Sequence, residues 1–194
     1  MKSVAVFCGS SMGASLSYKE GAVRLGKELA RQKLTLVYGG SSVGIMGVVA
    51  DTVLAEGGKV IGVIPEMLEE REISHPHLTK LIVVDSMHTR KTKMAELADG
   101  FIALPGGPGT MEEFFEIFTW AQLGLHQKPC GILNVDHYYD LLISFFTHMN
   151  EQQFLHDLYM PIFLSDTDPA SLIEQFRSYN PPPVKTYIEK KSQT

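Results

Sequence analysis

Short runs of β-branched and aliphatic residues alternate along this chain with longer amphipathic stretches, and polar residues hardly interrupt the short runs. Ser3–Cys8 reads as a strand and Ser15–Gln32 as a helix. Leu34–Tyr38 and Val43–Glu56 repeat the pair, and Lys59–Ile64 is a third strand closed by Pro65. Leu81–Asp85 and Phe101–Leu104 are further strands, each followed by a helix, over His88–Ala98 and from about Met111 to Gly124. Cys130–Asn134 is a sixth strand, followed by a helix over His137–Asn150. Ile162–Leu164 reads as a short edge strand and Pro169–Ser178 as a last helix. A strand that is apolar throughout is buried on both faces. Such strands, separated by helix-length segments, dictate an α/β fold: a parallel sheet with helices on both faces.

The 194 residues suit a single domain, expected over 1–179. Residues 180–194, with Pro181–Pro183 and then Glu189–Lys191, read as a flexible C-terminal tail. Glu66–Thr79 is the longest polar interruption and is expected to be a mobile loop near the site. The net charge of −5 without a basic stripe argues against nucleic-acid and membrane-surface partners. Any anion must therefore be held by local donors. Cys8 and Cys130 lie in apolar runs and read as reduced, packed thiols. The apolar run after Met1–Lys2 is too short for a signal peptide, and no run reaches membrane-spanning length; the expected location is the cytoplasm.

The glycines fall where the strands end. Gly9–Ser10–Ser11 follows the first strand, and Gly39–Gly40–Ser41–Ser42, continuing to Gly44 and Gly47, follows the second. Ser86–Lys91 follows the fourth, and Pro105–Thr110 the fifth. In a parallel sheet these turns emerge on one edge, where open α/β sheets bind ligands. Glycine lets backbone N–H groups approach an anion closely, and the helix that follows aims its unpaired N–H groups at the same place. Candidate binding residues are Gly9, Ser10, Gly39, Gly40, Ser41, Met87, Lys91, Gly106, Gly107, Gly109 and Thr110. Taken one loop at a time, a tight turn explains the glycines as well as a ligand does; the convergence favours a phosphorylated nucleotide. Gly21 to Lys27 has P-loop spacing but lies inside a helix and ends in Glu28, so the match is chance. The dinucleotide fingerprint fails because Glu112 stands where its third glycine belongs.

Among charged residues, Arg90, Lys91 and Lys93 open a helix, against its dipole. A bound anion would explain Arg90, whose planar fork suits phosphate. Glu113 has two readings: the far end of a Thr110-x-x-Glu113 capping box, or a carboxylate placed for ribose chemistry. His75 and His77 have no third ligand at credible spacing, so no metal is expected. Tyr38, Met46 and Met87 have packing as the alternative to any ligand contact. The helix from Met111 is apolar on nearly all sides. Either a symmetric dimer or the following helix covers the excess.

Three segments resemble the LOG ("Lonely guy") family: Gly39–Gly47, Met87–Lys91 and Pro105–Glu113. The last has its P-G-G-x-G-T-x-x-E pattern, and the resemblance extends over about residues 2–178. It implies a Rossmann-like fold, a homodimer and no cofactor. It further implies hydrolysis of the N-glycosidic bond of AMP or an N6-substituted AMP, the cytokinin riboside monophosphates. Arg90 and Glu113 match the family's catalytic pair, and Gly107, Gly109 and Thr110 its phosphate loop. Pro108 and Thr89 depart from the usual pattern. Members have also been labelled lysine decarboxylases, but no lysine here stands out for a Schiff base. The alternative is a non-catalytic nucleotide carrier or sensor.

Overall fold

The computed structural model describes residues 1–69 and 74–184. Its strands are β1 (Ser3–Phe7), β2 (Thr35–Tyr38), β3 (Val60–Pro65), β4 (Lys80–Val84), β5 (Phe101–Ala103), β6 (Cys130–Leu133) and β7 (Phe163–Asp166). They form one seven-stranded sheet in the order β4-β3-β2-β1-β5-β6-β7. Every neighbouring pair is parallel. The helices are α1 (Leu16–Arg31), α2 (Gly44–Ala55), α3 (Glu66–Glu69), α4 (Met87–Leu97), α5 (Pro108–Gln122), α6 (Asp140–Glu151) and α7 (Pro169–Ser178).

Alternate residues of the central strands enter different cores. Val4 and Val6 pack with α1, α2 and α7, while Ala5 and Phe7 pack with α4, α5 and α6. This period of two, with apolar residues on both sides, makes the strands read as unbroken apolar runs. The fold is the expected α/β architecture. Gly21 and Gly26, of the chance P-loop match, lie inside α1, where side chains would collide with Val135 and Thr52. No helix among the described residues is long and apolar enough to cross a membrane.

Four expected boundaries shift. β7 runs to Asp166 and pairs with β6, so the edge strand is longer than its apolar core. α5 starts at Pro108, capped by Gly107, a turn earlier than its apolar periodicity indicates. α6 starts at Asp140 because Asp136 and His137 have φ of 51° and 60°, which no α-helix accepts. The Glu66–Thr79 stretch holds α3, and beyond it Ser74 bridges to Ser41 while the His75 N–H donates to Gly40 O at 2.9 Å. Residues 70–73 of that loop, and 185–194 of the expected tail, lie outside the described residues. Of the tail's start, Val184 packs against Gly124.

The apolar excess of α5 is met in part within the chain, while Leu123, just past its end, stays 45% exposed. Phe146 of α6 stacks on Phe115 at 5.7 Å and meets Phe118 edge-on at 5.2 Å. The following helix therefore covers part of α5, as one of the two readings expected. Unmatched apolar surface reappears on α6 itself, where Leu141 is 87% and Phe145 51% exposed.

Candidate active site

The strand order reverses direction between β1 and β5, and the loops leaving these two strands are stitched together. Leu104 N donates to Phe7 O at 2.9 Å, and Gly9 N to Pro105 O at 3.2 Å. A cleft opens at this switch point, the place where open α/β sheets bind ligands. It has two adjoining lobes of about 390 and 310 Å³, which share Gly9, Ser10 and Gly107.

The smaller lobe holds the charged chemistry. Arg90 from α4 and Glu113 from α5 face each other across it, Nη2 to Oε1 at 3.5 Å, and each side chain is nine-tenths buried. The guanidinium is under-used. Among the described residues its Nε has no partner, and Nη1 reaches only the Met87 sulfur, at 3.9 Å. A buried guanidinium left with open donors is a site prepared for an acceptor. Burial pushes the Glu113 carboxyl up from the ordinary glutamate range. Arg90 and Lys91 oppose that rise, and Glu112 and Glu116 add to it. Glu113 is not a cap: the N-cap is Gly107, and Glu113 sits further along α5, so the capping-box reading is replaced by a buried carboxylate aimed into the lobe. Pro108 occupies the first helical position, where its missing N–H has no intrahelical partner to lose. Cys8 also lines the wall, and its burial raises the thiol so far that it stays neutral.

The glycines divide by what a side chain would meet. A Cβ on Gly106 would strike Thr110 Oγ1 and come within 2.8 Å of Gly9 N, so packing alone demands glycine there. On Gly107 and Gly109 a Cβ would meet nothing within 4 Å among the described residues. Neither has a positive φ. Neither turn geometry nor packing requires glycine at these two positions, and both face the smaller lobe at the N-terminus of α5.

Of the expected binding residues, Gly9, Ser10, Met87, Gly106, Gly107, Gly109 and Thr110 line the cleft. Gly39, Gly40 and Ser41 line neither lobe. They lie behind it, and a side chain on Gly39 would collide with the Arg90 guanidinium, so this glycine makes room for Arg90. Lys91 turns away from the cleft to hold Glu112 at 2.6 Å and Glu116 at 2.8 Å, joining α4 to α5. Sequence reasoning missed Tyr18 and Tyr138, which wall the larger lobe edge-on to each other at 5.4 Å, and Leu68 of α3 in the smaller one. Tyr138 had a signal: it follows β6, another loop on the same sheet edge.

The family described as "possible lysine decarboxylase" matches residues 46–176. A cytokinin riboside 5'-monophosphate phosphoribohydrolase of Arabidopsis thaliana is 47% identical over 180 residues, covering 93% of this chain and 83% of that protein. A second Arabidopsis enzyme of the same description is 46% identical over 180 residues, covering 93% and 84%. The chain belongs to the LOG family. Among solved structures, the molybdenum cofactor binding protein of Rippkaea orientalis superposes with a TM-score of 0.69 at 22% identity, covering 91% of this chain and 96% of its own. The molybdenum cofactor carrier of Chlamydomonas reinhardtii gives 0.68 at 20%, covering 92% and 99%. At such identities these neighbours show that this chain shares their fold and no more. Among the described residues, neither lobe is lined by a lysine.

Proposed function

We propose that the protein hydrolyses the N-glycosidic bond of a purine nucleoside 5'-monophosphate, AMP or an N6-substituted AMP, to free base and ribose 5-phosphate. The observation that carries this is the pairing of Gly107 and Gly109, open to the cleft at a helix N-terminus, with an under-satisfied Arg90 and a buried Glu113 beside them. The activity printed for the Arabidopsis relatives supports it. The 5'-phosphate sits at the α5 N-terminus, held by the backbone N–H groups of Ser10, Gly107, Gly109 and Thr110. This sets the ribose against the Arg90–Glu113 pair, with the base toward Met87 and Leu68. Glu113 supports positive charge at C1' as the C1'–N bond breaks, and takes the proton of the attacking water. The bond electrons leave with the base, which gains a proton, and water is the only co-reactant consumed. Arg90 orients the phosphoribosyl group and assists the departing base. A carrier without chemistry has no use for a buried carboxylate beside an anion cradle, since it repels the anion.

The domain we assign is 1–179. We place a second copy of the chain against the apolar face of α6, and the protein in the cytoplasm, where the buried thiols Cys8 and Cys130 stay reduced. The test of function is incubation with AMP and isopentenyl-AMP and chromatography for base and ribose 5-phosphate. Glu113→Gln is expected to slow release by about a hundredfold or more. A Glu113→Gln rate equal to wild type removes the mechanism, and no release by wild type removes the function.

A further inference from the structure

The two lobes meet at Gly107, and the orientation of the peptide between Gly106 and Gly107 decides which way the Gly107 N–H points. A trans peptide carries its C=O and the next N–H in opposite directions. Holding Gly106 O on one side therefore aims Gly107 N–H to the other. Between two glycines such a peptide turns over with little steric hindrance, so a cradle built on it needs something to select one orientation.

The turn after β6 provides this. Tyr138 Oη donates to Gly106 O at 2.7 Å, and Tyr139 Oη donates to Leu104 O at 2.7 Å. Pro105 O, between them, accepts from Gly9 N at 3.2 Å. Three consecutive carbonyls leading into α5 are each held from outside the loop. Tyr138 lines the larger lobe, so holding Gly106 O toward it turns Gly107 N–H toward the lobe of Arg90 and Glu113.

The tyrosines reach these carbonyls through an unusual backbone. Asp136 and His137 are consecutive non-glycine residues in the left-handed region, with φ of 51° and 60°. The surroundings fix them there. Ser17 Oγ donates to Asp136 Oδ2 at 2.7 Å, His137 Nδ1 lies 3.1 Å from Asp140 Oδ2, and Asn134 Nδ2 donates to Asp140 Oδ1 at 2.7 Å. Tyr139 N donates to Asn134 Oδ1 at 2.8 Å. Strain of this kind persists where the surrounding structure over-determines it, and it clusters at functional sites.

We propose that Tyr138, backed by Tyr139, is a positioning residue that sets the aim of the Gly107 N–H and so tunes affinity for the substrate's phosphate. The proposal rests on the reading of the α5 N-terminus as the phosphate site. Tyr138→Phe keeps the ring and deletes the hydroxyl. Calorimetry with ribose 5-phosphate and with adenosine, and steady-state kinetics with AMP, separate the effects. Ribose 5-phosphate affinity is expected to fall about fivefold to tenfold, the net worth of one hydrogen bond. KM for AMP should rise by the same factor, while kcat stays within about twofold and adenosine binding is unchanged. Unchanged ribose 5-phosphate affinity overturns the proposal. Equal weakening of adenosine also overturns it, because a general loss of structure would do that. Should wild type bind ribose 5-phosphate yet release no adenine from AMP, the hydrolase reading fails, and the phosphate arm still judges the role of Tyr138.

Discussion

Glu113 is 8% exposed, and its environment has opposing parts. Burial disfavours the carboxylate most, Glu112 and Glu116 add repulsion, and Arg90 and Lys91 counter it; the balance lies above the ordinary value of 4.5. The form that supports positive charge at C1' is the carboxylate, so activity disappears as pH falls through that raised value. The acid limb of kcat/KM for AMP is expected above pH 4.5. A limb at or below 4.5 would show that the group in control is not Glu113. The same shift acts on stability in a definite direction. The folded state binds this proton more tightly than the unfolded chain, so the stabilisation it confers is full below the unfolded value and lost as pH rises through the folded one. Arg90 and Glu113 were legible in the sequence because each stands one to two turns into a helix that leaves the binding edge. Lys91 was not, because its neighbour along the chain says nothing of Glu112 and Glu116, which reach it from another helix. Tyr138 escaped although its loop follows β6 on the binding edge, because that stretch was read as helix and the left-handed Asp136 and His137 that turn it toward the cleft carry no glycine to mark them.

The N-terminus of α5 separates what folding needs from what binding needs. Gly109 is in the first helical turn, its φ is unremarkable, and a Cβ there touches nothing. Alanine at such a position favours the helix by up to about 1 kcal/mol. The methyl would also stand where the phosphate approaches. Gly109→Ala is thus expected to raise Tm by a few degrees, about 1 kcal/mol in a chain of this size, and to raise KM for AMP about tenfold or more. Thermal melts and kinetics on one preparation check both, and an unchanged KM would mean that the loop serves the fold alone. Gly106→Ala should behave oppositely and lose stability, since its methyl meets Thr110 and Gly9. The sequence located this helix but started it at Met111. Apolar periodicity begins only where the core does, and the polar first turn that carries the cradle lies before it.

Over the whole molecule, strand content and order of appearance were readable because the central strands are buried on both faces and the edge strands keep apolar runs. Their spatial order was not, since it depends on which way each crossover turns, and that order puts the cleft at the β1–β5 gap. Assembly is set by a similar transfer of surface. α5 is apolar on nearly all sides, and α6 covers part of it through Phe146, yet α6 has Phe146 as its one buried residue, although Leu141, Leu142, Ile143, Phe145 and Met149 are apolar too. Leu141 and Phe145 are four residues apart and share one helix face, both more than half exposed. A paired apolar face of this kind, on a helix anchored to the core through Phe146, is the signature of a partner surface. A twofold arrangement would lay α6 of one copy on α6 of the other, each burying the same residues. Sedimentation of wild type is expected to give twice the 21.5 kDa chain mass. Leu141→Lys with Phe145→Lys should give a single chain with unchanged far-ultraviolet circular dichroism, because neither side chain belongs to the core. A wild-type monomer at micromolar concentration, or a doubly substituted chain that still dimerises, would move the interface off α6 and leave its apolar face to another partner.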